Sequence, residues 1–354
     1  MSLLTINNLK KRFNLEAGFF ARFGRFVNAV NDVSFFIGKN EAYGLVGESG
    51  CGKTTTARML VRMYEADSGQ IIYQSENSNL DVADLKKEAL RHYREKVRYL
   101  FQDPAKSLNP RMSVYEVLVS GCRKPLRKRG VSEKELRKKA AGILEEVGLT
   151  AADLEKRPSE FSGGQRQRIS IARALLMEPE VLICDEVVSA LDVSIQGQIL
   201  NLLLDIRKKR NISFLFIAHD LKVACYFCDR IGVMYKGELM EEARAEDLYS
   251  AALHPYTQLL FSSAAGIDTQ KKNQFENKKE EALAASPERA KLPALAASRE
   301  EAKLPEQKSL AVLSPASSCS FASRCPRAAE RCFCGHPVLT EIKKGHSIRC
   351  FLYL

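Results

Sequence analysis

A glycine-rich segment, GESGCGKT at 47–54, constrains the fold of this chain more than any other feature of its sequence. It follows the apolar run 42–46 and precedes the helical run 55–63, which is the strand–loop–helix context of a phosphate-binding loop. Glycines let backbone N–H groups curl around phosphate, and the helix N-terminus adds its positive dipole end. We expect Lys53 to reach the β- and γ-phosphates of a nucleotide and the Thr54 hydroxyl to bind magnesium. The predicted nucleotide contacts here are Gly47, Glu48, Ser49, Gly50, Cys51, Gly52, Lys53, Thr54 and Thr55.

Short apolar runs alternate with longer helical patterns through the first 265 of the 354 residues. The runs 42–46, 181–184 and 212–217 are continuously apolar, which is typical of parallel strands buried on both faces. No apolar run approaches the length that crosses a bilayer. The pattern therefore predicts an α/β chain whose parallel sheet is covered by helices.

The formal net charge of +11 is concentrated locally rather than spread over the chain. Between Arg123 and Lys139, nine basic residues stand against two acidic ones. This patch lies on or beside an amphipathic helix that a capping box between Ser132 and Glu135 opens. A solvated helix face explains it at least as well as contact with lipid headgroups or a partner. We expect no nucleic-acid binding.

A pair of carboxylates follows a second buried run. The apolar residues 181–184 lead directly into Asp185 and Glu186. We expect Asp185 to hold magnesium, directly or through water, and Glu186 to orient or deprotonate the attacking water. Phosphoryl transfer depends on such positioning and charge stabilisation more than on covalent help.

The segment FSGGQ at 161–165 lies between these two motifs. It resembles the signature sequence of ABC-type ATPases, and the order of motifs from Gly47 to His219 is similar to that family across about 260 residues. The resemblance implies a P-loop ABC ATPase cassette with a helical subdomain at about 103–165. It also implies a head-to-tail dimer, in which the signature segment contacts ATP held by the opposite subunit. The signature residues concerned are Ser162, Gly163, Gly164 and Gln165.

Four further positions match residues of that family. The resemblance implies that Gln102 touches the magnesium and links the site to the membrane partner. It implies that Asp192 lies in the loop connecting the two nucleotide sites, and that His219 contacts the γ-phosphate. Phe13 matches the upstream aromatic that stacks on adenine, and a place in the hydrophobic core fits it nearly as well.

Two residues within the nucleotide motifs, Val187 and Cys51, lead to separate predictions. Val187 stands where the family has proline after the catalytic glutamate, which puts the turn holding Glu186 in question. Both carboxylates are intact, so we still expect hydrolysis. Cys51 lies near Lys53 and oriented N–H groups, which favour a thiolate, so we expect maleimide to inactivate the chain and ATP to protect it.

Other segments narrow the resemblance. The insertion 17–26 and the segments 189–204 and 254–260 resemble the ATPase subunits of bacterial oligopeptide and dipeptide importers, a group that includes nickel importers. The cysteine-containing segments 319–332 and 346–350 match that group as well. The resemblance therefore covers nearly the whole chain apart from a repeat region.

Five of the ten cysteines lie between 315 and 354. The first residues lack the pattern of a signal peptide, so we expect a reducing compartment, where disulfides are rare. A module this short needs a crosslink or a bound metal to stay folded. Four thiolates are suitable metal ligands, although their spacing is not that of a zinc ribbon. The family resemblance favours a [4Fe–4S] cluster over Zn²⁺; packed free thiols are the third interpretation, and Cys334 is an alternate ligand. The expected ligands are Cys319, Cys325, Cys332 and Cys350.

Composition divides the chain into three parts. Residues 1–265 form the predicted nucleotide-binding domain, and 315–354 form a small Cys-rich C-terminal module. Between them, 266–314 is rich in Ala, Lys, Glu, Ser and Pro. It holds two copies of a twelve-residue unit that are identical at ten positions, which we interpret as a flexible linker.

These features predict an ATPase subunit that energises import of oligopeptides or dipeptides, peripheral to the cytoplasmic face of the inner membrane. The resemblance implies two membrane permeases, a second ABC ATPase that is the same or a different chain, and an extracytoplasmic solute-binding protein. Import of nickel or another small solute stays open. The rival class is a soluble ABC ATPase acting on nucleic acid or ribosomes, against which the local basic charge and the single cassette argue.

Overall fold

The computed structural model describes residues 2–14, 26–74, 79–265 and 318–354. Strands and helices alternate through the first three of these ranges, as the apolar runs predict. The strands are β1 (Ser2–Asn14), β2 (Phe26–Gly38), β3 (Ala42–Val46), β4 (Ser68–Gln74), β5 (Asn79–Asp81), β6 (Val97–Leu100), β7 (Val181–Asp185), β8 (Ser213–Ala218), β9 (Arg230–Tyr235), β10 (Glu238–Arg244), β11 (Thr340–Lys343) and β12 (His346–Ile348). The α-helices are α1 (Lys53–Leu60), α2 (Lys87–Lys96), α3 (Pro104–Ser107), α4 (Val114–Val119), α5 (Arg123–Lys128), α6 (Glu133–Glu146), α7 (Gly163–Leu175), α8 (Val193–Arg210), α9 (Leu221–Phe227), α10 (Ala245–Ala251), α11 (Pro255–Ala265) and α12 (Glu330–Cys334).

The larger of two sheets has eight strands in the order β11-β12-β10-β9-β3-β8-β7-β6. The pairs β9–β3, β3–β8, β8–β7 and β7–β6 are parallel, which confirms the predicted parallel α/β core. Their register aligns Val46 with Ala218 and Asp185 with Ile217. The carboxyl ends of these strands therefore meet at one edge of the sheet.

The second sheet is antiparallel, in the order β2-β1-β4-β5. Apolar side chains of both sheets and of α1 form one buried cluster, which includes Leu4, Ile37, Leu45 and Leu60. On the other side of the large sheet, a separate cluster joins it to the helices and includes Leu118, Leu144 and Phe214. Along the chain, the helices α3 to α6 follow β6 and precede α7. Both α4 and α6 contact α7.

The segment 318–354 continues the large sheet. β12 pairs with β10 through Glu241–Ile348 and Glu242–Ser347, and β11 pairs with β12. Phe321 is fully buried against Tyr235 and Tyr256. The C-terminal residues thus pack on the cassette, whereas the sequence led us to treat them as a module of their own.

Two predicted features lie outside the described residues. The repeat region 266–314 falls wholly there, and the insertion 17–26 does so except for Phe26 in β2. Within the four described ranges, no helix has both the length and the apolar character needed to cross a membrane.

Candidate nucleotide-hydrolysis site

The glycine-rich loop turns directly from β3 into α1. Gly52 caps the helix with a φ of 111°, and a Cβ at this position would come within 2.1 Å of the Ala29 carbonyl oxygen. Only glycine combines that φ with this close approach. The N–H of Thr56 bonds to the Gly52 carbonyl over 2.9 Å, so the first helical turn begins at the loop itself. The loop therefore has the strand–turn–helix geometry expected of a phosphate site.

The Lys53 ammonium lies inside the loop. Its side chain is buried, and Nζ donates to the carbonyl oxygens of Gly47 and Glu48 over 2.7 and 2.9 Å. These bonds hold a cation among the backbone groups that face a bound phosphate.

The pKa of the Cys51 thiol is shifted in the direction opposite to the one that the sequence predicts. Cys51 is only 6% exposed, and this burial raises the pKa of its thiol. The Lys53 ammonium, 3.8 Å from the sulfur, opposes this shift without reversing it. The prediction of a favoured thiolate at Cys51 is therefore wrong, because desolvation outweighs the nearby cation.

Two of the three residues predicted to contact magnesium, Thr54 and Asp185, lie in contact. The Thr54 hydroxyl donates to Asp185 Oδ1 over 3.0 Å, and Asp185, at the end of β7, is 3% exposed. The second carboxylate oxygen accepts a 2.5 Å bond from the Tyr99 hydroxyl. Burial, and then the Asp185 charge, raise the pKa of Tyr99, which keeps it a proton donor. An oxygen-only pair of this kind fits Mg²⁺.

Sequence reasoning missed Tyr99. It lies in β6 opposite Ile183 of β7, two positions before Asp185. Only the β6–β7 pairing brings its hydroxyl to the carboxylate, and no local motif signals that pairing.

Gln102, the third residue predicted to contact magnesium, lies against the predicted catalytic carboxylate. Gln102 Nε2 donates to Glu186 Oε2 over 2.7 Å, although the chain positions are 84 apart. Gln102 follows β6 and Glu186 follows β7, so the parallel pairing of these strands carries both to one edge. The amide thus fixes the carboxylate that is expected to act on water.

The turn after Glu186 is held despite the missing proline. The Glu186 N–H donates to the Ile217 carbonyl oxygen over 3.1 Å. Its own carbonyl oxygen accepts bonds from the N–H and the hydroxyl of Ser189, over 3.1 and 2.8 Å. Val187 is 2% exposed and packs in the core. The backbone bonds and the buried valine together replace the constraint that proline would supply.

The signature segment forms the N-terminus of α7. The Ser162 hydroxyl accepts from the Gln165 N–H, and the Gln165 side chain accepts from the Ser162 N–H, over 3.3 and 3.0 Å. Both residues are exposed. A Cβ on Gly164 would lie 2.6 Å from Ile195 Cγ2, which shows how closely α7 approaches α8. The segment is thus an exposed end of a 13-residue helix.

The remaining predicted contacts occupy separate positions. His219 is exposed directly after β8, at the sheet edge that also carries Asp185. Asp192 caps α8, and its side chain is exposed and makes no capping bond. Phe13 is half-buried, and its ring packs edge-on against Tyr64 at 5.4 Å.

The four C-terminal cysteines converge. Burial, and to a smaller extent the charges of the other three thiols, raise the pKa of Cys319 to about 11. The sulfurs of Cys319, Cys325 and Cys350 each accept a backbone N–H from two residues further along. Among the described residues, no group of three or more potential ligands has the arrangement of a metal site. The structure therefore brings thiols together without showing the predicted metal centre.

Two family profiles match the chain. The ABC transporter profile covers 30–189, and the oligopeptide/dipeptide transporter C-terminal region covers 240–291 and 290–332. The oligopeptide transport ATP-binding protein OppF of Bacillus subtilis (strain 168) is 46% identical over 261 residues, 74% of this chain and 82% of its own. A putative peptide import ATP-binding protein of Brucella ovis is 38% identical over 349 residues, 98% of this chain and 97% of its own.

Solved structures share the cassette. CbiO1 of Clostridium perfringens, part of the cbiONQ ABC transporter complex, is 26% identical with a TM-score of 0.60, over 71% of this chain and 91% of that one. The dimeric cassette MJ0796 bound to ADP and Pi is 26% identical with a TM-score of 0.58, over 68% and 98%. Sequence motifs, fold and relatives agree: the chain belongs to the ABC-transporter ATPases, in the group of oligopeptide/dipeptide transport ATP-binding proteins.

Proposed function

We propose that this chain hydrolyses MgATP to drive import of oligopeptides or dipeptides. The relatives named for peptide transport match it along up to 98% of its length, including the C-terminal region. The proposal of ATP hydrolysis rests on two hydrogen bonds at one edge of the sheet. Thr54 meets Asp185 there, and Gln102 meets Glu186.

Each of these side chains has a role in the proposed hydrolysis. Lys53 and the loop N–H groups bind the phosphates, while Thr54, Asp185 and the side-chain oxygen of Gln102 would hold the metal. Bound Mg²⁺ would neutralise charge on the phosphates. Glu186 accepts a proton from the attacking water, and Gln102 keeps its carboxylate in place. His219 lies on the same edge, where it would contact the γ-phosphate.

We infer that hydrolysis is coupled to a partner cassette. The exposed N-terminus of α7 presents Ser162 and backbone N–H groups to solvent, which suits the phosphate of an opposing subunit. The chain would bind two permeases from the cytoplasmic side of the inner membrane. A solute-binding protein outside the membrane would select the peptide.

Copurification tests this proposal. The full-length chain is tagged, native membranes are solubilised in mild detergent, and the associated proteins are identified. Two multi-span permeases, a peptide-binding protein and a second or identical ATPase are the expected result. Recovery of permeases together with a nickel-binding protein would show that the transported solute is nickel rather than a peptide. Recovery only from the soluble fraction with ribosomal proteins would contradict the transport function.

We also propose that the four converging cysteines bind a [4Fe–4S] cluster. Four thiols, of which Cys319, Cys325 and Cys350 accept backbone N–H bonds, are the donor set that such a cluster uses. Anaerobic purification should then give iron and sulfide in equal amounts with a visible charge-transfer band. One equivalent of zinc without iron would favour a structural Zn²⁺, and absence of both metals would contradict the proposal.

A further inference from the structure

Glu48, the second residue of the phosphate-binding loop, is held by a tyrosine of α11 and by an arginine of the C-terminal segment 318–354. Its N–H donates to the Tyr256 hydroxyl in α11 over 3.0 Å. Its two carboxylate oxygens accept Nη1–H and Nη2–H of Arg324, each over 2.8 Å. Two parallel bonds between a guanidinium and a carboxylate fix both distance and orientation. A residue 276 positions away in the sequence therefore determines where this loop carboxylate points.

Arg324 is itself placed by a buried aromatic platform. Its guanidinium carbon lies 5.7 Å from the ring centre of Tyr235 and 5.9 Å from that of Phe321. These two rings and that of Tyr256 pack on one another at 4.7 to 5.3 Å. The planar guanidinium suits both the stacking and the fork of bonds, whereas a lysine ammonium would satisfy neither fully.

The stability of the fold does not explain such a construction. The Arg324 and Glu48 side chains are 44% and 40% exposed, and exposed ion pairs contribute little to folding. Their position is what distinguishes them. The Lys53 ammonium bonds to the Glu48 carbonyl oxygen, so an unpaired Glu48 carboxylate would compete for it and repel the phosphates of ATP.

We propose that Arg324 is a positioning residue for the nucleotide site. It neutralises the Glu48 carboxylate and retains it on the C-terminal segment, which leaves Lys53 and the loop N–H groups free for phosphate. ATP affinity in this chain thus depends on a residue that lies outside the cassette motifs.

The full-length chain tests this by titration with a fluorescent ATP analogue and Mg²⁺, and by steady-state ATP hydrolysis. Arg324→Gln should raise the Kd and the KM for ATP about tenfold, the effect of losing a charge-assisted pair. Its kcat should stay within about twofold, because Asp185, Glu186 and Gln102 keep their bonds. Arg324→Lys retains the charge and should fall between the two.

A double variant separates charge from packing. Adding Glu48→Gln to Arg324→Gln removes the carboxylate that the arginine neutralises, so ATP binding should largely recover. The matched control is Arg327→Gln, an exposed arginine of the same segment, which should leave the Kd unchanged. The proposal is overturned if Arg324→Gln binds ATP normally, or if the double variant binds as weakly as Arg324→Gln with melting temperatures matched. An unmodified chain that binds no nucleotide would overturn the ATPase assignment as well.

Discussion

The backbone of Glu186 lies in the left-handed region, with a φ of 49°. A non-glycine residue in this conformation costs about 1–3 kcal/mol and persists only where its surroundings hold it. Here the Ile217 carbonyl, the Ser189 side chain and the Gln102 amide hold it. The strain therefore serves to place one carboxylate at the sheet edge.

Replacing that carboxylate should separate binding from hydrolysis. Glu186→Gln keeps an oxygen for the Gln102 amide but loses the proton acceptor, so kcat should fall at least about 100-fold. The Kd for ATP should stay within about twofold. Glu180→Gln, which removes a carboxylate just before the other end of β7, is the control and should keep kcat. Equal loss of activity in both variants would contradict the role of Glu186.

Cys51 should react slowly with maleimide in the native chain. Burial raises its pKa, so the thiolate is scarce at neutral pH, and the sulfur is poorly accessible. Labelling followed by mass spectrometry should modify the exposed Cys334 well before Cys51. Faster labelling at Cys51 would show that the loop opens in solution.

Motif residues could be placed from sequence because their neighbours along the chain define them. Gly47–Thr54, Asp185 and Glu186 lie where a strand ends, and strand ends are visible as the limits of apolar runs. Tyr99 and Arg324 could not be found in this way, because their partners are distant in sequence and only strand pairing and segment docking bring them close.

Helices α7 and α8 lie close together at Gly164. A methyl group there would meet Ile195 at 2.6 Å, and relieving such overpacking typically costs about 1–3 kcal/mol.

Gly164→Ala should therefore lower the melting temperature, even though alanine favours helix. Gly163→Ala is the matched control, because its Cβ would lie 3.9 Å from Leu191, an ordinary contact. Thermal unfolding of the two variants tests this prediction. Equal melting temperatures would mean that α8 moves to accommodate the added methyl group without a cost in stability. Ile195→Ala in the Gly164→Ala background should restore part of the loss.

Elements that carry a continuous apolar run or a capping box were accessible from sequence, whereas the 13-residue strands β1 and β2 and the shortest strands were not. The capping box that opens α6 joins Ser132 and Glu135 as predicted. The strands β11 and β12 have four and three residues, TEIK and HSI, which are too short and too polar to show a pattern. Their membership of the sheet comes from pairing with β10 rather than from intrinsic preference.

Across the whole molecule, His254 connects the cassette to the C-terminal segment. Its Nδ1 accepts the Tyr256 N–H over 3.0 Å, and the ring also bonds to the backbone of Arg349. Nδ1 therefore carries no proton, and the imidazole is neutral. Burial lowers its pKa to about 4, against the opposing charge of Glu241.

This linkage predicts acid sensitivity with a definite sign. The unfolded chain binds a proton at His254 near pH 6.5 and the folded chain only near pH 4, so stability is lost as the pH falls between these values. The loss is on the order of 3 kcal/mol. His254→Asn removes the titration, and denaturant unfolding at pH 7 and pH 4.5 should show a smaller difference than in the unmodified chain. An unchanged difference would contradict it.

At this scale the family and the parallel sheet were predictable, and the attachment of the C-terminal residues was not. Composition marks the boundary near 265 because the chain becomes rich in Ala, Lys, Glu, Ser and Pro there. It carries no information on where the chain packs after the repeat region. Phe321, buried in the same core cluster as Tyr235 and Tyr256, is one residue among a polar stretch.

The docking of the last strands also sets an order of events during synthesis. Glu241 and its partner His346 are 105 positions apart, so β10 leaves the ribosome roughly 5–20 s before β12 can pair with it, at about 5–20 residues per second. During that interval β10 is an open sheet edge, and the loop carboxylate of Glu48 lacks Arg324. Until Arg324 reaches Glu48, we expect the nascent cassette to bind ATP about tenfold more weakly, as in Arg324→Gln.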